Sequence, residues 1–254
     1  VVTILTAQSA RMLSETTLLE LFRRGVYCDA EALPVLEARG CGELAGFRIA
    51  GRTDFDATEE LTEHPLNLDS VGFRRDCRQS FPWGHAAGYS LTAIGDDAET
   101  LARLIDYEGR VIAPCSLGTY RNRLGGRVAV AGYYPLRDLQ FERKLTSLKR
   151  LFRWLAGTSG LAEIVSYHRI ALWARYRQSD DTAAIQLVNA SQDPAQGVVL
   201  RLPGRGTGAR WQDWRGRTAA LPGEFRADGA CYFTLPEMPP WSVALMTCKL
   251  EAAL

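Results

Sequence analysis

Cys28 closes a short apolar run, Val26-Tyr27-Cys28, and stands before a stretch that can start a helix. A thiol at such a turn can act as a nucleophile, because a helix N-terminus stabilises its thiolate. The strained turn of a nucleophile elbow needs small flanking residues, however, and here they are Tyr27 and Asp29. Asp29 would also repel a thiolate and raise the thiol pKa, so a structural thiol is the better reading. His64, His85 and His168 include no i, i+4 pair, and none adjoins a cysteine pair, so no metal-ligand pattern forms. No metal or cofactor is expected. His85 lies in Phe81-Pro82-Trp83-Gly84-His85, a turn-rich aromatic stretch. Trp83 and His85 are candidates for lining a site, and a loop anchored by an aromatic plug is the alternative. Hydrolysis of a glycoside needs two carboxylates about 5–9.5 Å apart. Glu59-Glu60 and Asp96-Asp97 read instead as solvated charge in polar loops. Gly125-Gly126 and Gly204-Arg205-Gly206 fit no phosphate-binding loop and read as turns. Trp211, Trp214 and Trp241 offer indole faces on which a sugar could stack. Trp211 and Trp214 are three apart, so in a regular strand they face opposite sides and at least one belongs to the core.

The elements that must position these residues fall into two groups. In the first, strand and helix patterns alternate, and glycines stop the helices. Val1 to Leu5 reads as a strand. Ser14 can cap a helix over about 15–24, with Gly25 ending it, and Val26 to Cys28 follows as a strand. Asp29 can cap a helix over about 30–38, stopped by Gly40, and a strand spans Leu44 to Ile49. This rhythm predicts an α/β layered sheet of Rossmann-like or amidotransferase-like type. Residues from about 52 to 84 read as a long excursion with short strands. Phe73, Phe81 and Trp83 in it are candidate interface residues, or they plug their own domain. Strands are expected at Ser90–Ile94, Ala102–Tyr107 and Val128–Tyr133. An amphipathic helix over about 142–156 should bury Leu145, Leu148, Leu151, Phe152 and Leu155, with Lys144, Lys149, Arg150 and Arg153 outside.

Gly157 and Gly160 mark a boundary, placing domains at 1–158 and 159–254. Beyond it, strands recur at Ile170–Tyr176, Ala183–Asn189, Val198–Leu202, Ala209–Trp214, Cys231–Leu235 and Ser242–Thr247, with turn clusters between them. That spacing predicts an all-β, immunoglobulin-like antiparallel sandwich of ~6–8 strands.

With 30 basic against 29 acidic residues and a net charge of +1, nothing draws the chain to nucleic acid or an anionic membrane. No run approaches the ~18 apolar residues of a membrane span. The N-terminus, without Met and already strand-like, suggests a fragment or trimmed chain. The six cysteines form no C-x-x-C pair and point to free thiols in a reducing, cytoplasmic compartment.

The stretch from Leu21 to Ala32 (LFRRGVYCDAEA) resembles a helix–strand–helix passage late in certain bacterial glycoside hydrolases, and Arg39 to Gly46 fits its continuation. Leu124 to Tyr133 with Leu148-Lys149-Arg150-Leu151 looks like that domain's closing strand and helix. Pro239 to Leu245 is similar to the last strand of a terminal β domain. Together they resemble the trimer-forming β-galactosidases, in which a (β/α)₈ barrel precedes an amidotransferase-like domain and a β-sandwich. The resemblance covers the last two domains. It implies a non-catalytic C-terminal portion, acting in homo-oligomer assembly and in shaping a sugar site, with the catalytic glutamates in a barrel outside these residues. No catalytic residue is carried over to this chain. Two rival readings stand beside it: a stand-alone carbohydrate-binding module, and a thiol-dependent hydrolase using Cys28.

Overall fold

The structure, a computed structural model, describes residues 2–53, 57–76, 88–132, 142–157 and 162–251. The chain divides into two compact units, Val1–Thr158 and Ser159–Leu254. Among the described residues, no helix is long and apolar enough to cross a membrane.

The first unit begins with β1 (Val2–Leu5) and two capped helices. Thr6 and Ser9 cap each other reciprocally to start α1 (Ala7–Met12), which has no counterpart in the sequence-based assignment. Ser14 Oγ accepts the Thr17 N–H at 3.1 Å and starts α2 (Glu15–Phe22). Next come β2 (Gly25–Asp29), a 3₁₀ turn whose Glu31 N–H is capped by Asp29, and α3 (Leu33–Ala38). The strand expected from Leu44 starts later. Gly42–Ala45 is a 3₁₀ turn closed by Gly46 at φ +74°, and β3 runs Phe47–Thr53. The unit continues with β4 (Thr58–Leu61), β5 (Arg74–Asp76), β6 (Gly88–Ala93), β7 (Glu99–Ile105), β8 (Val111–Arg121), β9 (Arg127–Ala131) and α4 (Glu142–Ala156).

Seven of these strands form one sheet in the order β1-β2-β9-β8-β7-β4-β5. The first three are parallel and the rest antiparallel. β3 and β6 make a separate antiparallel pair. The unit is therefore a β-rich mixed sheet in which the helix–strand rhythm governs only the parallel side. There the strand alternation sorts two cores. Val26, Cys28, Val128 and Val130 face Leu18, Phe22, Leu33 and Leu36. Tyr27, Ala129 and Ala131 face Leu148, Leu151 and Leu155 of α4. Close approach of α4 explains Gly25: a Cβ there would lie 2.3 Å from the Leu155 carbonyl oxygen.

The second unit comprises β10 (Glu163–Ile164), β11 (Ile170–Arg177), β12 (Thr182–Asn189), β13 (Val199–Pro203), β14 (Arg205–Gln212), β15 (Thr218–Ala220), β16 (Gly223–Phe225), β17 (Ala230–Thr234) and β18 (Ser242–Glu251). They pair antiparallel in a four-stranded sheet, β10-β13-β17-β16, and a five-stranded sheet, β11-β12-β18-β14-β15. Ile185, Leu187, Ala244 and Met246 of the larger sheet share one buried core with Leu200, Leu202 and Phe233 of the smaller. Burying each large side chain is worth about 1.5–3 kcal/mol. Asn189 pins the β18 end of this core, its amide donating to the carbonyls of Asp193, Met238 and Pro239.

Candidate functional site

A buried polar centre in the first unit grows from two adjacent acids. Glu59 and Glu60 are not solvated loop residues. They lie in β4 and are 1% and 5% exposed. Antiparallel register sets Glu59 opposite Arg75 and Glu60 opposite both Arg74 and Arg103. Each ion pair is thus a direct cross-strand pair. Arg75 Nε is 3.0 Å from Glu59, and Lys144 Nζ reaches the same carboxylate at 2.5 Å from α4. Glu60 accepts from Arg74 at 2.7 Å and from Arg103. Burial alone would raise both carboxyl pKa values, but the paired cations hold them below the ordinary range. Both therefore stay ionised, which suits a structural counter-ion and not a proton-donating general acid.

Lys144 corrects the reading of α4. The buried stripe is Lys144, Ser147, Leu148, Leu151 and Leu155, turned toward Glu59 at its N-terminal end. Beneath the same helix Asn67 is fully buried. Its side-chain amide donates to the Thr62 and Leu101 carbonyls, and its backbone carbonyl accepts from Arg150 at 3.0 Å.

His64 is also buried. Its Nδ1 accepts the Leu66 N–H, so Nε2 carries the proton and meets Glu99 at 3.0 Å and Thr119 at 3.2 Å. Burial lowers its pKa, with Glu99 acting in the opposite sense. His168 Nδ1 lies 3.0 Å from the Ser166 hydroxyl. Among the described residues, no three His, Cys, Asp or Glu side chains are placed to hold a metal.

Cys28 is fully buried in the α1–α3 core, and its thiol donates to the Asp29 carbonyl. Burial first, then Asp29, pushes its pKa far above the ordinary thiol value. This thiol is held protonated and out of reach of substrate. Phe73 is half-buried against the α4 core, with the Arg143 guanidinium 5.2 Å above its ring. Phe81, Trp83 and His85 lie outside the described residues.

In the sandwich, Trp211 is a core residue, 5% exposed. Trp214 sits exposed in the β14–β15 turn with the Arg215 guanidinium 4.6 Å over one face. Trp241 is exposed at φ +54°. The sequence reading passed over Trp173, whose indole stands exposed on the outer face of the five-stranded sheet. Pairing places Trp173 opposite Gln186 and Gln186 opposite Leu245, with Arg175 opposite Ala184 in the next row. These five side chains line a shallow hollow. The available signal was the alternation of β11, where Ala171, Trp173 and Arg175 share one face while Ile170 and Leu172 turn inward.

No family model matches the chain, and no curated protein matches it. Among solved structures, α-L-fucosidase isoenzyme 2 from Paenibacillus thiaminolyticus is similar at a TM-score of 0.53 and 14% identity, over 98% of this chain and 48% of that one. A cold-adapted β-galactosidase from Rahnella sp. R3 is similar at a TM-score of 0.49 and 14% identity, over 97% of this chain and 31% of that one. The chain thus spans about half the length of the fucosidase. What it shares with that enzyme is a β-rich, glycoside-hydrolase-like fold.

Proposed function

We propose that this chain is a non-catalytic portion of a β-galactosidase-like glycoside hydrolase. Its first unit would be amidotransferase-like and its second an immunoglobulin-like sandwich. In this reading it supports homo-oligomer assembly and helps shape a sugar site whose catalytic carboxylates belong to a barrel outside these residues. The carrying observation is the end-to-end likeness of the chain to about half of a larger α-L-fucosidase. The state of the buried carboxylates agrees with it: Glu59 and Glu60 are each fixed between two cations and are unsuited to donating a proton to a leaving group. Five buried, unbridged cysteines among the described residues support the reading of a reducing compartment such as the cytoplasm.

The test is a panel of nitrophenyl glycosides, including β-D-galactoside and α-L-fucoside, offered to the 254-residue chain. The expected result is no turnover above the uncatalysed rate. Turnover that a single Asp or Glu substitution abolishes would overturn the proposal.

A further inference from the structure

We propose that β11 is a docking edge to which a second copy of the chain adds its own β11 in antiparallel order, joining the two five-stranded sheets into one continuous sheet. The inference names a surface for the self-assembly proposed above, and it rests on that reading for the identity of the partner.

Strand length singles this edge out. A sheet edge presents alternate N–H and C=O groups that no neighbouring strand takes up, and proteins blunt such edges by making them short, bulged or proline-bearing. Five of the six edges of the seven-, four- and five-stranded sheets, β1, β5, β10, β15 and β16, have four residues or fewer. The sixth, β11, has eight, with no proline and no lysine. It runs along β12 through eight successive pairs without a register shift. Among the described residues, no strand or loop backbone bonds to its other side. That side is therefore a straight row of backbone donors and acceptors at strand spacing. An extended strand matches the row group for group, and a helix or a small molecule does not.

The side chains of β11 identify the partner strand, because they complement themselves. A twofold axis perpendicular to the sheet keeps each face continuous across the junction, so outer residues meet outer residues and inner meet inner. With the axis at Ala174, Ala174 faces its own copy and its small side chain lets the backbones close. Trp173 then faces Arg175 of the second copy, and Leu172 faces Tyr176 of the second copy, each pairing occurring twice. Trp173 and Tyr176 are 56% and 52% exposed in one chain, so both rings gain cover. A guanidinium beside an indole is attracted to it, and no like charges stand opposite each other. A register centred on Arg175 would oppose two guanidiniums, which is destabilising. One centred on Trp173 would set each Arg175 against Ala171, away from any aromatic face.

The test is sedimentation equilibrium of the full chain over a concentration series, which should show a dimer. Trp173→Arg places guanidinium against guanidinium twice per dimer and should weaken association by about tenfold or more. Trp173→Glu places a carboxylate against Arg175 and should keep the dimer. Position 173 is exposed, so unaltered thermal unfolding checks that both variants fold. Register is read by cross-linking in a Cys77→Ser background, where the five remaining cysteines are buried. Directly opposed residues lie within disulfide reach. Ala174→Cys should therefore give dimers that a reductant separates, and Ala171→Cys should not. A chain that stays monomeric at every concentration overturns both this edge and the assembly role. A dimer that Trp173→Arg leaves intact, or that Ala174→Cys fails to cross-link, overturns the edge and leaves the assembly role standing.

Discussion

Lys144 and Glu59, 85 residues apart in sequence, meet at 2.5 Å with both side chains 2% exposed. The pair joins α4 to β4, an inner strand of the antiparallel side of the sheet. Arg75 adds a second cation to the same carboxylate. Removing one member of a buried pair typically costs about 3–5 kcal/mol, because the remaining charge stays desolvated. Glu59→Gln should therefore lower the urea unfolding free energy of the first unit by an amount of that order. Lys144→Met should cost less when combined with Glu59→Gln than when introduced alone. Additive losses would show that the two groups do not act as one unit.

His64 should give the stability of the first unit a pH slope near neutrality. Its folded pKa lies below the ordinary value, chiefly through burial. The unfolded histidine, with a pKa of about 6.5, therefore binds protons in a range where the folded one resists them. Stability is fully present above about pH 6.5 and is lost as the pH falls below it. The melting temperature should drop between pH 7 and pH 5, and His64→Gln should flatten that segment of the curve. An unchanged slope in the variant would contradict the assignment.

Gly25 should resist any side chain. A Cβ at this position lies 2.3 Å from the Leu155 carbonyl oxygen, a backbone atom that moves only if α4 moves. Gly25→Ala should destabilise by about 1–3 kcal/mol, the usual range for overpacking. Gly51 offers the control, because nothing lies within 4 Å of its would-be Cβ. Gly51→Ala should stay within about 0.5 kcal/mol of the parent. Chemical denaturation of the two variants reads the difference directly.

The described cysteines should be silent in the folded protein. Cys28, Cys41, Cys115, Cys231 and Cys248 are all buried and unbridged. Burial pushes the Cys115 and Cys248 thiols up to about 11 and Cys28 higher still. Mass spectrometry after brief alkylation at pH 7.5 should find these five unmodified in the native state and modified in denaturant without reductant. Rapid native alkylation of Cys28 would revive its role as a nucleophile.

Much of the second unit could be read from its residues. Six expected strands match β11, β12, β13, β14, β17 and β18, because polar and apolar residues alternate and turn clusters punctuate them. The short β10, β15 and β16 were missed, having only two or three residues each to carry a pattern. In the first unit the caps Ser14 and Asp29 were correctly placed. β8 was missed although it is 11 residues long, since Pro114 and the mixed Ser and Gly content mask it. Lys144 was placed outside because a charged residue is normally solvated, and only its distant partner Glu59 reverses that preference. The doublets Glu59-Glu60 and Arg74-Arg75 could have signalled the pairing. They match in antiparallel order across the connection from 62 to 73, but the signal needs the strands to be recognised first. Trp173 was passed over because an apolar residue in a strand reads as core until its facing is known.

That the charged centre of the first unit maintains structure and takes no part in turnover is tested most directly by titrating Glu59. Side-chain carboxyl carbons, observed by NMR with Glu59→Gln supplying the assignment, report its ionisation from pH 2 to 8. The account predicts a carboxylate that stays ionised through neutral pH and protonates only below the ordinary glutamate value of about 4.3. A midpoint above that value, moving toward neutrality as a proton donor in catalysis requires, would contradict it.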